Sequence, residues 1–217
     1  MQFIMSQLKI DIKQQAKIAF IAIALFVLSS CQSLNLNTYT EINKSTKFDM
    51  TALEAKLQRL DKWTATGVIG IRYNGKADSA NYVYSQDGDD FSIKLYGPLG
   101  IGSIEIKGDG NRIVCIDNKG KETQADSAES LMVQQLGWYV PVEGLKSWIK
   151  GIPVSDKDTK RQIDDNNLVQ VLLERGWEVD YSGYKMFDGE YPLPTKIKMT
   201  RDGLSLKIVI KSWQVYS

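Results

Sequence analysis

Phe91-Ser92-Ile93-Lys94-Leu95-Tyr96-Gly97-Pro98-Leu99-Gly100-Ile101-Gly102-Ser103-Ile104-Glu105-Ile106 is the stretch on which the reading of the chain turns. Both flanks alternate apolar and polar side chains, the pattern of strands with one buried face. Between them runs a loop with three glycines, one proline and no charge. Leu99 and Ile101 stand in that loop where a turn normally carries Asn, Asp or Ser. Apolar side chains on a loop tip face water unless the loop folds back or meets another apolar phase. Burying each would contribute about 1.5–3 kcal/mol, enough for transient contact and too little for an anchor.

The alternation continues outward on both sides. Trp63 to Tyr73 reads as a strand and Asn74-Gly75 as a hairpin turn. Ala80–Ser85, Phe91–Tyr96, Ser103–Lys107 and Arg112–Asp117 follow, separated by Asp87-Gly88, Gly108-Asp109-Gly110 and Asn118-Lys119-Gly120. Later, Leu168–Glu174, Trp177–Tyr181, Pro194–Thr200 and Leu204–Lys211 alternate again. Ser155 to Asn167 reads as a polar connection, and Gly183 to Leu193 as a longer hairpin or flap.

Three short helices are predicted. Leu53, Leu57 and Leu60 recur at helical spacing, with Thr51 and Glu54 as a capping box. Asp126 caps a second helix, with Glu129 three residues on and a stop at Gly137. A third follows Pro141 and carries Leu145, Trp148 and Ile149 on one face. These faces need something to cover. The expected fold is mainly β: about nine to eleven antiparallel strands in one strongly bent sheet, closed or partly open, with helices over its concavity. Outward positions carry Lys, Thr, Ser, Glu and Arg, so the outside lacks the apolar band of a membrane barrel. Lys94, Lys107, Lys198 and Lys207 are read there as solubilising residues.

The N-terminus reads as an address. Lys9, Lys13 and Lys17 precede an apolar run from Ile18 to Leu28, then Ser29-Ser30-Cys31. This is the shape of a secretory signal, and the run is short for a spanning helix, which needs about 20 residues. Leu28-Ser29-Ser30-Cys31 resembles the bacterial lipobox, in which the cysteine is acylated and becomes the mature N-terminus. Gln32 follows Cys31 in place of an Asp, which favours the outer membrane; Met5 is an alternative start. The expected organisation is a signal peptide over 1–30, a lipidated N-terminus and flexible tether over 31–48, and one domain over 49–217.

Composition excludes several functions. Histidine is absent from the 217 residues, which removes the usual general base and the commonest metal ligand. Only Cys31 and Cys115 occur, so no disulfide framework or Cys-rich zinc site is expected; Cys115, in an apolar run, reads as a buried thiol. A net charge of +1 supplies no field for nucleic acid. Gly70 to Lys76 matches most of a phosphate-binding loop, but position 77 is Ala and the context is strand, turn, strand. Asp89-Asp90 and Asp164-Asp165 sit in polar turns and read as solvated acids. No enzyme activity, cofactor, metal, nucleotide or nucleic acid is expected. The five tryptophans, at 63, 138, 148, 177 and 213, suit a filled core and a dry cavity equally.

The landmarks taken in order resemble the LolB family of outer-membrane lipoprotein receptors. They are the lipobox; Trp63 and Gly67 in an opening strand; Gly97-Pro98-Leu99-Gly100; Leu145-Lys146-Ser147-Trp148-Ile149-Lys150-Gly151-Ile152-Pro153; Gly176-Trp177-Glu178-Val179 with Tyr181 and Tyr184; Leu193-Pro194; and a closing strand from Ile208 to Trp213. The resemblance implies an unclosed β-barrel, or half-barrel, whose concave apolar face holds lipoprotein acyl chains. Candidates for lining that cavity, from the sheet and from the helix that covers it, are Trp63, Ile69, Ile71, Phe91, Ile93, Leu95, Leu145, Trp148, Ile149, Trp177, Val179 and Tyr181. It also implies a periplasmic carrier, LolA, that delivers acylated lipoproteins without ATP at this step. Pro98, Leu99, Gly100 and Ile101 would then form the loop that meets outer-membrane lipid, with Leu99 at the place of the family's required leucine; Ile101 departs from relatives with a polar residue there. A monomer is expected. The rival expectation is a non-enzymatic envelope-assembly or scaffold lipoprotein with a filled core.

Overall fold

Alternating side chains and short turns give an antiparallel sheet built from two meanders. In the computed structural model the described residues are 39–97, 102–109 and 112–216. The first meander holds β2 (Lys62–Tyr73), β3 (Lys76–Asp87), β4 (Asp90–Tyr96), β5 (Ser103–Gly108), β6 (Ile113–Ile116) and β7 (Glu122–Ala125). The second holds β8 (Lys160–Ile163), β9 (Val169–Glu174), β10 (Trp177–Ser182), β13 (Lys196–Arg201) and β14 (Leu204–Val215). They join where β14 pairs with β2, giving the order β7-β6-β5-β4-β3-β2-β14-β13-β10-β9-β8. Among the described residues β7 and β8 do not pair with each other, so the sheet is a half-barrel and not a closed one.

The β2–β14 seam runs from Ser205 opposite Arg72 to Val215 opposite Trp63, with a bulge between Ile210 and Ser212. Gly67 lies opposite Ile210 at that bulge. A Cβ there would sit 1.9 Å from the Val209 carbonyl oxygen, so the backbones approach as closely as they do only because Gly67 has no side chain.

Among the described residues three helices accompany the sheet: α1 (Met50–Arg59), α2 (Ala128–Leu136) and α3 (Val142–Trp148). The N-caps of the first two differ from those expected. Asp49, not Thr51, caps α1 by accepting from the Ala52 N–H at 3.0 Å. Ser127, not Asp126, caps α2, because its hydroxyl reaches the Ser130 N–H. Gly137 ends α2 in the left-handed conformation. Glu129 does not close a capping box; its carboxylate accepts from the Val142 N–H at 2.9 Å and ties α2 to the start of α3.

A second, three-stranded sheet corrects the expected tether. β1 (Tyr39–Glu41) pairs with β11 (Lys185–Phe187), which pairs with β12 (Tyr191–Leu193). Tyr39 lies on Phe187 with ring centroids 5.6 Å apart, and the Lys185 ammonium sits 4.1 Å over the Tyr39 ring and 3.0 Å from Glu41. Further along, the Asn166 side-chain amide donates to the carbonyls of Asn43 and Thr46, and Asn167 donates to that of Phe48. The stretch 39–48 is therefore docked on the body along its length. Polar residues without period look free in a sequence, but here their backbone is bonded by distant asparagines.

The concave side is packed. Trp63 contacts Tyr84 and Trp213 edge-on at centroid distances of 4.7 and 5.2 Å, and Trp148 meets Trp177 at 6.0 Å. Leu131 and Met132 of α2 and Ile149 and Ile152 after α3 complete the core. Cys115 is buried in it, as its apolar surroundings imply.

Candidate functional site

Period-two alternation aims one side of every long strand at the helices. On β2 the inward set is Trp63, Ala65, Gly67, Ile69 and Ile71; on β10 it is Trp177, Val179 and Tyr181; on β14 it is Leu204, Leu206, Ile208 and Ile210. All twelve residues expected to line the cavity, nine on strands and three on the third helix or at its end, belong to this core. Trp63, Ile69, Ile93, Trp148, Ile149, Trp177, Val179 and Tyr181 are buried outright, and Ile71, Phe91, Leu95 and Leu145 are half-buried against them. In this state the concave face is filled by the protein's own side chains, the alternative that pattern alone left open.

Helix α3 is bonded to both sides of the sheet. Lys146 donates to the Gly88 carbonyl in the β3–β4 turn at 2.8 Å, and Glu143 accepts from Arg175 in the β9–β10 turn at 2.8 Å. Beneath it, Glu174 of β9 is 3% exposed and accepts from the Trp148 indole N–H at 2.6 Å and from the Val154 and Ser155 N–H groups at 3.0 Å. Three donors satisfy this buried carboxylate without a cation. Lys150, also 3% exposed, donates to the Leu57 and Leu60 carbonyls at 2.7 and 3.0 Å, so it caps the C-terminal end of α1. Burial, reinforced by Lys146, draws the Lys150 ammonium down to about 8.

One cavity of about 290 Å³ reaches the concave face, lined by Tyr73, Val133, Trp138, Tyr139, Trp177 and Leu204 with Arg201 and Asp202 at its margin. It is at the lower edge of the roughly 300–1,000 Å³ of small-molecule sites, with mostly aromatic and aliphatic walls. Sequence reasoning had placed only Trp177 of these at the site. Val133, half-exposed on α2, and Tyr139 beyond it are apolar positions left without cover, a signal visible only once the helix faces are known.

Four buried donors have no hydrogen-bond partner among the described residues: Trp63 Nε1, Tyr82 Oη, Trp177 Nε1 and Tyr181 Oη. Burial raises the Tyr82 and Tyr181 hydroxyls well above the ordinary range, so both stay protonated. An unmatched buried donor costs about 1–3 kcal/mol. These four are thus the polar groups of the core that an occupant with carbonyl oxygens could satisfy.

The two ends of the sheet differ. The Asn74-Gly75, Arg175-Gly176 and Asp202-Gly203 turns share one end with the paired residues Tyr96 and Ser103 of β4 and β5, and the cavity lies there. At the other, the β11–β12 hairpin is packed on Trp213 through Phe187, with centroids 6.4 Å apart. Strands β4 and β5 stop at Tyr96 and Ser103, and the Gly97 N–H donates to the Gly102 carbonyl at 3.2 Å. Pro98, Leu99, Gly100 and Ile101 lie outside the described residues, as does Cys31. Among the described residues no cluster of His, Cys, Asp or Glu could hold a metal ion. Asp164 serves its turn by accepting from the Asn166 and Leu168 N–H groups.

Comparison with known proteins follows the same lines. The family model "Outer membrane lipoprotein LolB" matches residues 61–213. The outer-membrane lipoprotein LolB of Francisella tularensis subsp. novicida is 52% identical over 211 residues, covering 97% of this chain and 100% of that protein. The LolB of Pseudomonas putida is 35% identical over 164 residues, 75% of this chain and 79% of its own. Among solved structures, a LolA superfamily protein from Nitrosomonas europaea superposes with a TM-score of 0.50 at 12% identity, over 78% of this chain and 94% of that one. A DUF1329 family protein from Desulfovibrio piger gives 0.52 at 9% identity, over 76% and 90%. At such identities the likeness is one of fold.

Proposed function

This chain belongs to the outer membrane lipoprotein LolB family, and from that premise we propose that it is a lipid-anchored receptor: it accepts lipoproteins from the periplasmic carrier LolA and passes them to the outer membrane without ATP. Acylated Cys31 holds it to that membrane, and the half-barrel shields the cargo's acyl chains. Each exposed acyl methylene costs about 0.8 kcal/mol in water, so cargo crosses an aqueous space only under cover. The observation that carries the reading is the concave apolar face with its four unmatched donors. Ester and amide carbonyls of a lipidated cysteine are acceptors that would match them.

The filled face sets a condition on this mechanism. An acyl chain enters only if core side chains move aside, beginning at the 290 Å³ cavity under the end of α2. Helix α3 is bonded at both sides of the sheet, so the moving part is the segment from α2 to Tyr139. Transfer is downhill, from a weaker-binding carrier to a tighter receptor and then to the bilayer.

Incubating the body, residues 32–217, with lipoprotein-loaded LolA tests the proposal. Stoichiometric transfer without nucleotide is expected, and cargo that stays on LolA overturns it. Leu99→Glu should accept cargo as well as wild type but deliver at least tenfold less to liposomes; normal delivery removes Leu99 from the role. A scaffold with a permanently filled core would take up neither cargo nor a fluorescent apolar probe.

A further inference from the structure

The outward side of β13 and β14 carries charge that its neighbours do not balance. Lys198 lies directly opposite Lys207, and Lys196 opposite Val209, which is 42% exposed. Like charges directly opposite on adjacent strands repel. Lys198 reaches Asp180 of β10 at 3.3 Å, while Lys196 and Lys207 have no ion pair among the described residues. Glu178, the other acid on the outward side of β10, lies opposite Thr200. The three lysines border a shallow depression of about 570 Å³ with Val171 and Val209 in its wall. Beyond residue 30 the chain is close to neutral, so this cationic face is a local feature.

Its position in the fold supplies an occupant. Lys196 pairs with Ser182, and three residues after Ser182 comes Lys185, against which β1 docks. The chain therefore joins the body at the same end of β10 and β13 that carries the lysines. Because 39–48 is docked, only the seven residues 32–38, eight Cα–Cα steps from Cys31 to Tyr39, separate the anchor from the body. However they run, they span at most about 28 Å.

We propose that this face, Lys196, Lys198 and Lys207 around Val209, rests on the anionic lipid surface of the bilayer in which the protein is anchored. The proposal rests on the anchoring part of the reading above and not on cargo transfer. Lysines close to an anionic surface together favour contact by on the order of a hundredfold for three, within a screening length of about 10 Å. Val209 supplies an apolar centre that meets the headgroup layer. Contact through the outward side leaves the concave side and its helices turned away from the bilayer, open to a soluble donor.

The test uses the full acylated protein in phosphatidylcholine vesicles with and without phosphatidylglycerol. Val209→Cys carries a polarity-sensitive dye, and Val133→Cys on α2 is the control; Cys115 is buried. Headgroup-bound quencher should quench the dye at 209 at least tenfold more than at 133, only with phosphatidylglycerol, and reversibly with salt. Lys196→Glu/Lys198→Glu/Lys207→Glu should abolish that quenching while the protein still floats with the vesicles. Equal quenching at both sites, or none at 209 in protein that floats, overturns the proposal. So does a triple variant that keeps its membrane contact but no longer binds loaded LolA, which would assign the face to a protein. Protein that does not float at all refutes the anchoring, and the contact falls with it.

Discussion

Replacing Glu174 by Gln should unseat α3 while leaving the sheet intact. Glu174 Oε2 accepts from Trp148 Nε1 and Val154 N, and Oε1 accepts from Ser155 N. Glutamine keeps one oxygen. With it turned to Trp148 and Val154, two bonds persist but lose their charge assistance, about 1 kcal/mol each. The Ser155 N–H then faces an NH₂ and goes unmatched, a further ~1–3 kcal/mol. The sum is about 4 kcal/mol, which in a domain of this size lowers Tm by roughly 10 °C. Thermal unfolding followed by circular dichroism measures the total, and hydrogen exchange locates it. Exchange should rise in the peptides covering 142–155 well before β2 and β14. Trp148→Phe removes one of the three donors and should cost less, with the double variant falling short of additivity. A loss under about 1 kcal/mol, or exchange that rises evenly over the whole sheet, would refute the view that one buried carboxylate seats this helix.

Gly67→Ala forces a methyl against the Val209 carbonyl, which lies in a paired strand that is not free to step aside; a loss of about 3 kcal/mol in chemical denaturation is expected, and a loss below 1 would mean the seam relaxes. The pH dependence of stability should carry the signature of Lys150. Its native value is about 8 against an ordinary 10.5, so between these the unfolded chain binds more protons and stability rises with pH. Cys115 and the buried tyrosines, raised by burial, act with the opposite sign. The difference between wild type and Lys150→Met removes their contribution: wild type should gain on the variant from pH 8 toward 10.5, and a flat difference would show that the ammonium is solvated.

The period-two pattern made the long strands legible because a bent sheet buries one face of each. What it hid was pairing between distant segments. Nothing in Leu204–Val215 says that its neighbour is Lys62–Tyr73, and β8 and β1 are edge pieces whose polar residues look like loop. The helix boundaries followed from their stops, but Ser127 won the cap because its hydroxyl, and not the Asp126 carboxylate, faces the free N–H groups. At the site, nine apolar strand positions were legible as one sheet face and Leu145, Trp148 and Ile149 as a helix face, while Glu174 and Lys150 were not. A lone acid at a strand end and a lysine after a helix look like surface charges until the structure shows what they bond.

The seam between the first and last strands of the main sheet bears on how such a chain comes to be made. Neither meander can acquire its central neighbour until Leu204–Val215 has arrived, so a polypeptide threaded through a membrane from its N-terminus keeps its sheet unfinished until Val215 is across. That delay keeps it slack enough to thread. It also means that a chain broken before Leu204 would lose the partner of Lys62–Tyr73 and leave two raw edges, a substrate for proteases in place of a slightly shorter protein.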